Sequence, residues 1–177
     1  MGMRITRDQD LPHIQSNLYA LMKSVVPLSA ITTNLGNGAD QTEDVLATYS
    51  LPANSFGAKG IQGLYIQAWG HCGTNGDTKT MNLYFGSEVI TTPAAATSNK
   101  NWYLELTVFR TALNTFTVVG TGIVDTTAVT GYQVTAATET ETAAITIKAT
   151  GQDTSASTAN AITCSLFLVQ SYEQGGS

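Results

Sequence analysis

A chain of 177 residues is long enough for one domain with a sizeable core. Only 12% of its residues are charged, 42% are hydrophobic, and the formal net charge is −5. Such a balance excludes a disordered chain, and eight basic against thirteen acidic residues give no footprint for gripping nucleic-acid phosphates. No apolar run approaches the ~20 residues of a membrane span, and the first residues lack the apolar stretch of a secretory signal. Neither nucleic acid nor membrane is therefore expected as a partner. With 28 Thr and 16 Gly against 4 Pro, composition leans toward strands and turns.

From Asp10 to Val26, apolar residues recur at Leu11, Ile14, Leu18, Leu21, Met22 and Val25, the spacing of an amphipathic helix. Asp10 is suited to cap it, Pro12 is tolerated in its first turn, and Pro27 stops it. The stripe has to be covered, either by its own domain or by a partner, and it is the candidate partner-binding surface. Residues Thr32 to Asp44 are polar and rich in Gly and Asn, as a connector would be. Residues 1–44 thus read as a helix and arm, and residues 45–177 as a separate β domain.

Eight β runs follow: Val45–Leu51, Ile61–Trp69, Thr78–Phe85, Asn101–Arg110, Thr115–Thr121, Tyr132–Ala137, Ala143–Thr150 and Ile162–Ser171. Several alternate. Met81, Leu83 and Phe85 share one face, as do Trp102, Leu104, Leu106 and Val108, and as do Ile145, Ile147 and Ala149. The last run is apolar on both faces apart from Thr163 and Ser165, which suits a strand covered twice. Asn75-Gly76-Asp77 is a strong hairpin signal between its flanking runs. With no helix between strands, a parallel α/β sheet is excluded. The expected fold is all-β, an antiparallel sandwich of jelly-roll type with an N-terminal helix or arm.

A search for chemistry comes out nearly empty. Two histidines and two cysteines, Cys72 and Cys164, supply neither a zinc set nor a recognisable triad, so no metal, cofactor or catalytic residue is expected. The cysteines read as free thiols, and whether the fold brings them together is open. Gly70, Gly73 and Gly76 lie between strands with no Lys-Ser/Thr after them, a loop and not a phosphate cradle. Glu105 is the one mid-strand acid of interest, on the face opposite Trp102, and reads as solvated or paired across strands. Glu139 and Glu141 read as a hairpin tip facing water. Five aromatics lie opposite the buried faces: Tyr65, Trp69, Tyr84, Tyr103 and Phe109. They suit either subunit contact or a ligand platform, and low charge favours subunit contact.

One stretch goes beyond generic β patterning. Leu46-Ala47-Thr48-Tyr49-Ser50-Leu51-Pro52-Ala53-Asn54-Ser55-Phe56 leads into Leu64-Tyr65-Ile66-Gln67-Ala68-Trp69-Gly70. Thr78-Lys79-Thr80-Met81-Asn82-Leu83-Tyr84-Phe85-Gly86 and Asn101-Trp102-Tyr103-Leu104-Glu105-Leu106 follow. Over residues 45–110 this order resembles small β-sandwich structural proteins of tailed bacteriophages, among them capsid decoration (cement) proteins and parts of tail fibres. The resemblance implies a non-enzymatic virion protein: a homotrimer on the capsid exterior, bound to the major capsid protein lattice and stabilising the head. The alternative it implies is a receptor- or glycan-binding module of a tail fibre.

Overall fold

The computed structural model describes residues 25–33, 35–56, 61–154 and 159–173. Two sheets of antiparallel strands face each other. The larger runs, in spatial order, through β1 (Val25–Ile31), β12 (Ile162–Glu173), β4 (Ile61–Cys72), β8 (Lys100–Ala112), β9 (Thr115–Val124) and β10 (Thr127–Thr138). The short β2 (Leu35–Gly36) also pairs with β12. The smaller sheet runs through β3 (Asp44–Leu51), β11 (Ile145–Asp153), β5 (Thr78–Phe85) and β6 (Glu88–Thr91), with β7 (Ala95–Ala96) added beside β5. The described residues contain no helix. The alternating faces behave as their pattern requires. Trp102, Leu104, Leu106 and Val108 of β8 turn inward against Met81, Leu83 and Phe85 of β5 and Ile145, Ile147 and Ala149 of β11, and all are buried. At one end the rings of Phe56, Phe85 and Phe116 close the core, with centroids 4.8 Å apart for Phe56–Phe116 and 5.3 Å for Phe85–Phe116.

One glycine is dictated by this packing. Gly70 faces Trp102 across the β4–β8 ladder, beside a register shift in β12. A Cβ there would lie 1.8 Å from the Thr163 carbonyl oxygen and 2.4 Å from the Trp102 ring, so only a bare Cα lets the indole pass.

The N-terminal expectation needs correction. Val25, Val26 and Pro27 are not the end of a helix but open β1, which is hydrogen-bonded along β12. Pro27 is tolerated because β1 is the edge of the sheet and its register shifts between Pro27 and Ser29. The rest of the expected helix, with Leu11, Ile14, Leu18, Leu21 and Met22, lies outside the described residues. Within the expected connector, Leu35 and Gly36 pair with β12, and Asn37 ties in more firmly still: its side-chain oxygen accepts from the Ile162 amide at 2.8 Å. β12, the run apolar on both faces, is interior to the sheet, with β1 and β4 on either side.

Other local signals were overruled by topology. β4 and β5 belong to different sheets, so the Asn75-Gly76-Asp77 turn links the two layers and does not close a hairpin. β8, β9 and β10 form a meander within one sheet, a departure from the paired Greek keys of a jelly roll. Glu141 is buried instead of facing water. Its carboxylate accepts from Arg110 Nε at 2.7 Å and from the Asn114 amide at 2.9 Å, pinning the β10–β11 loop to the β8–β9 turn. Glu139 accepts from the Ser87 hydroxyl at 2.7 Å.

Candidate functional site

The outer face of the larger sheet gathers four of the five aromatics singled out above. On β4, Tyr65, Gln67 and Trp69 project to this face; on β8, Tyr103, Glu105, Thr107 and Phe109 do. The register sets them in rungs: Trp69 opposite Tyr103, Gln67 opposite Glu105, Tyr65 opposite Thr107 and Gly63 opposite Phe109. β12 continues each rung with Leu166, Leu168, Gln170 and Tyr172. Val119 and Ile123 extend two of them on β9.

A polar cluster occupies the middle. Tyr65 Oη donates to Glu105 Oε2 at 2.5 Å, and Tyr103 Oη donates to the same oxygen. The Gln67 amide donates to both phenols, at 3.0 Å to Tyr65 and 2.9 Å to Tyr103. Among the described residues, no hydrogen bond engages Glu105 Oε1 or the Gln67 amide oxygen, so both retain acceptor capacity. Burial, followed by the hydrogen bond to Glu105, pushes the Tyr65 phenol far above its ordinary value and raises that of Tyr103 as well. Burial and then the Glu105 charge raise Tyr172. The phenols are therefore neutral donors at physiological pH.

Aromatic rings flank this cluster at both ends. Trp69 is 49% exposed, and its ring packs on that of Tyr103 with centroids 4.7 Å apart. At the other end Phe109, 48% exposed, stacks on Tyr172 with centroids 6.3 Å apart and planes within 14°. Gly63 lies between those two rings in the rung; a Cβ there would come within 2.4 Å of the Val108 carbonyl oxygen, 3.3 Å of Phe109 and 3.5 Å of Tyr172. Tyr172 was missed by sequence pattern because the last β run was closed one residue before it.

Tyr84 stands apart, on the outer face of the smaller sheet. Its phenol donates to Glu43 at 2.7 Å, and Lys148 Nζ sits 4.5 Å above its ring. Asn82 also donates to Glu43, at 2.7 Å, as does Thr150. Burial raises the Glu43 carboxyl, but these three hydrogen bonds and the Lys148 charge outweigh it and hold the group below its ordinary value.

A second polar cluster is interior. Lys79 is buried, and its ammonium donates to the backbone oxygens of Asn75 at 2.7 Å, Thr97 at 2.7 Å and Asp77 at 3.2 Å. The Asn75 amide reaches Asp77 at 2.7 Å and the buried Asp153 at 3.0 Å. Beside it a cavity of about 220 Å³ opens between the layers, lined by Met81, Pro93, Ala96, Lys100, Val124 and Asp125. Every lysine donor is satisfied by backbone, so the cluster ties loops together and offers no reactive amine. Cys72 and Cys164 are buried and free. Among the described residues no three His, Cys, Asp or Glu side chains are grouped so as to hold a metal ion.

No protein-family model and no curated protein matches the chain. Among solved structures it is similar to a protein of unknown function from Shewanella oneidensis MR-1, at 12% identity and a TM-score of 0.44, over 86% of this chain and 77% of that one. It is also similar to the CBM2 module of an evolved Dit of Lactobacillus casei BL23 phage J-1, at 8% identity and a TM-score of 0.37, over 85% of this chain and 98% of that one.

Proposed function

We propose that this chain is a non-enzymatic glycan-binding β-sandwich module of a phage tail, used to recognise the host surface. One observation carries the proposal: the exposed rings of Trp69 and Phe109 and a hydrogen-bonding centre of Tyr65, Gln67, Tyr103 and Glu105 share the outer face of the larger sheet. A sugar ring has apolar C–H faces and hydroxyl edges. It is held by stacking on an aromatic surface while amides, phenols and carboxylates meet its hydroxyls. Strands hold those groups in fixed register, so little ordering entropy is lost on binding. The placement in a phage tail rests on the likeness of residues 45–110 to phage sandwich proteins.

Capsid decoration by a homotrimer is the competing proposal. The centre of a subunit contact is depleted of charge, whereas Glu105 and its phenols occupy the middle of this face. Val25, the last residue of the arm that decoration would use, belongs to β1. The face thus favours a ligand. The test is binding of the purified chain to host cells and to a glycan array, beside co-sedimentation with expanded capsids. Retention on cells or glycans that Trp69→Ala and Tyr103→Ala abolish is expected; binding to capsids alone would overturn the proposal.

A further inference from the structure

Resting on that glycan-binding proposal, we infer that the ligand is a neutral, linear polysaccharide laid along β4 and β8, engaging both aromatic pairs at once. The pairs belong to one face because the β4–β8 register runs unbroken from Gly63–Phe109 to Trp69–Tyr103. Six residues of strand separate Tyr103 from Phe109, which places the two platforms about 20 Å apart along the strand direction. Between them the floor is polar, formed by Tyr65, Gln67, Glu105 and Thr107. A single sugar covers one platform; only an extended chain reaches the other. The second platform has its own structural signature. Gly63 leaves the rung open so that Phe109, half exposed, and Tyr172, partly buried, stack above it outside the core.

Charge selects the polymer. Glu105 is the acidic side chain at the centre of the face. The four described basic residues are occupied elsewhere: Lys79 in the interior, Lys100 on Asp125, Arg110 on Glu141, and Lys148 over Tyr84 on the smaller sheet. A polyanion would meet Glu105 with none of the described lysines or arginines free to compensate it, whereas hydroxyls of a neutral chain find Glu105 Oε1 and the Gln67 oxygen as acceptors.

The test is calorimetric titration of the full chain with cello-, xylo-, malto- and N-acetylchito-oligosaccharides of graded length, with polygalacturonate as the polyanionic probe. Affinity should rise by about tenfold once the oligosaccharide spans both platforms, and then level off. Phe109→Ala should lower affinity for long chains to about that for short ones, and Trp69→Ala should weaken both. Equal affinity for short and long chains, or a Phe109→Ala variant that binds long chains normally, overturns the two-platform inference while glycan binding stands. Binding of polygalacturonate alone overturns the neutral specificity. If none of these probes binds and host cells are not retained either, glycan binding itself falls. Circular dichroism of each variant separates lost folding from lost binding.

Discussion

Tyr65 and Glu105 sit one rung apart on neighbouring strands, and the phenol of the first donates to the carboxylate of the second at 2.5 Å. Long side chains bridge such diagonal positions readily, and here the bridge recruits Tyr103 and Gln67 as well. The Glu105 carboxylate is the hub. Replacing it by Ala releases both phenols and removes the one charged acceptor. Glycan affinity is expected to fall about tenfold or more, the scale of a hydrogen bond to a charged group, while thermal unfolding shifts little. A Glu105→Ala variant that loses stability but keeps its affinity would make the cluster a structural brace.

Lys79 is a different case, because its ammonium is interior. Lys79→Met leaves the carbonyl oxygens of Asn75 and Thr97 without their donor. The expected loss is about 3 kcal/mol or more, a drop in Tm on the order of 10 °C, without effect on glycan binding. Thermal unfolding followed by circular dichroism checks the first part, and titration of the folded variant the second.

Alkaline pH should loosen the fold, two of the contributing tyrosines being Tyr84 and Tyr132. Burial, followed by hydrogen bonds to carboxylates, pushes Tyr84 and Tyr132 from 10.0 up to about 12, through Glu43 and Glu88 respectively. A raised folded-state value means that their contribution is fully present below pH 10 and is lost as pH climbs from 10 to about 12. Urea midpoints measured across that window should decline, and Tyr84→Phe and Tyr132→Phe should each flatten the decline.

The acid side has a counterpart in Glu43, whose carboxyl is held below its ordinary 4.5. Its contribution is present above that value and lost as pH falls through the folded-state value. Glu43→Gln should therefore lessen the acid-induced fall in the urea midpoint.

Both thiols should be silent in the native protein. Burial raises Cys72 above its ordinary value and Cys164 to about 11, and neither is disulfide-bonded. An aromatic disulfide reagent should find no reactive thiol in the folded chain, and both after guanidinium unfolding.

How much of this could be read in the residues follows from range. Alternation is local, and it located the inward rows of β5, β8 and β11 because each is several residues long with one dry face. β6 and β7 are too short to alternate. β1 was hidden because Val25 continues the helical spacing begun at Leu11, and only pairing with β12 makes it a strand. Sheet membership is a non-local property, so the Asn75-Gly76 turn announced a reversal but not which layer received it. Glu141 carried no sequence sign of burial, since its partners Arg110 and Asn114 are about thirty residues away in the chain. For the outer face, parity along β4 and β8 put Tyr65, Trp69, Tyr103 and Phe109 opposite the core. Their assembly around Gln67 and Glu105 needed the register.

The margins of the larger sheet bear on how copies behave when crowded. At one margin Pro27 offers no N–H, and the strand shifts register beside it; at the other, β10 shifts register twice against β9. Neither rim is a straight template on which a neighbour's backbone can zip, so this sheet is guarded against growing into a continuous ribbon through its margins.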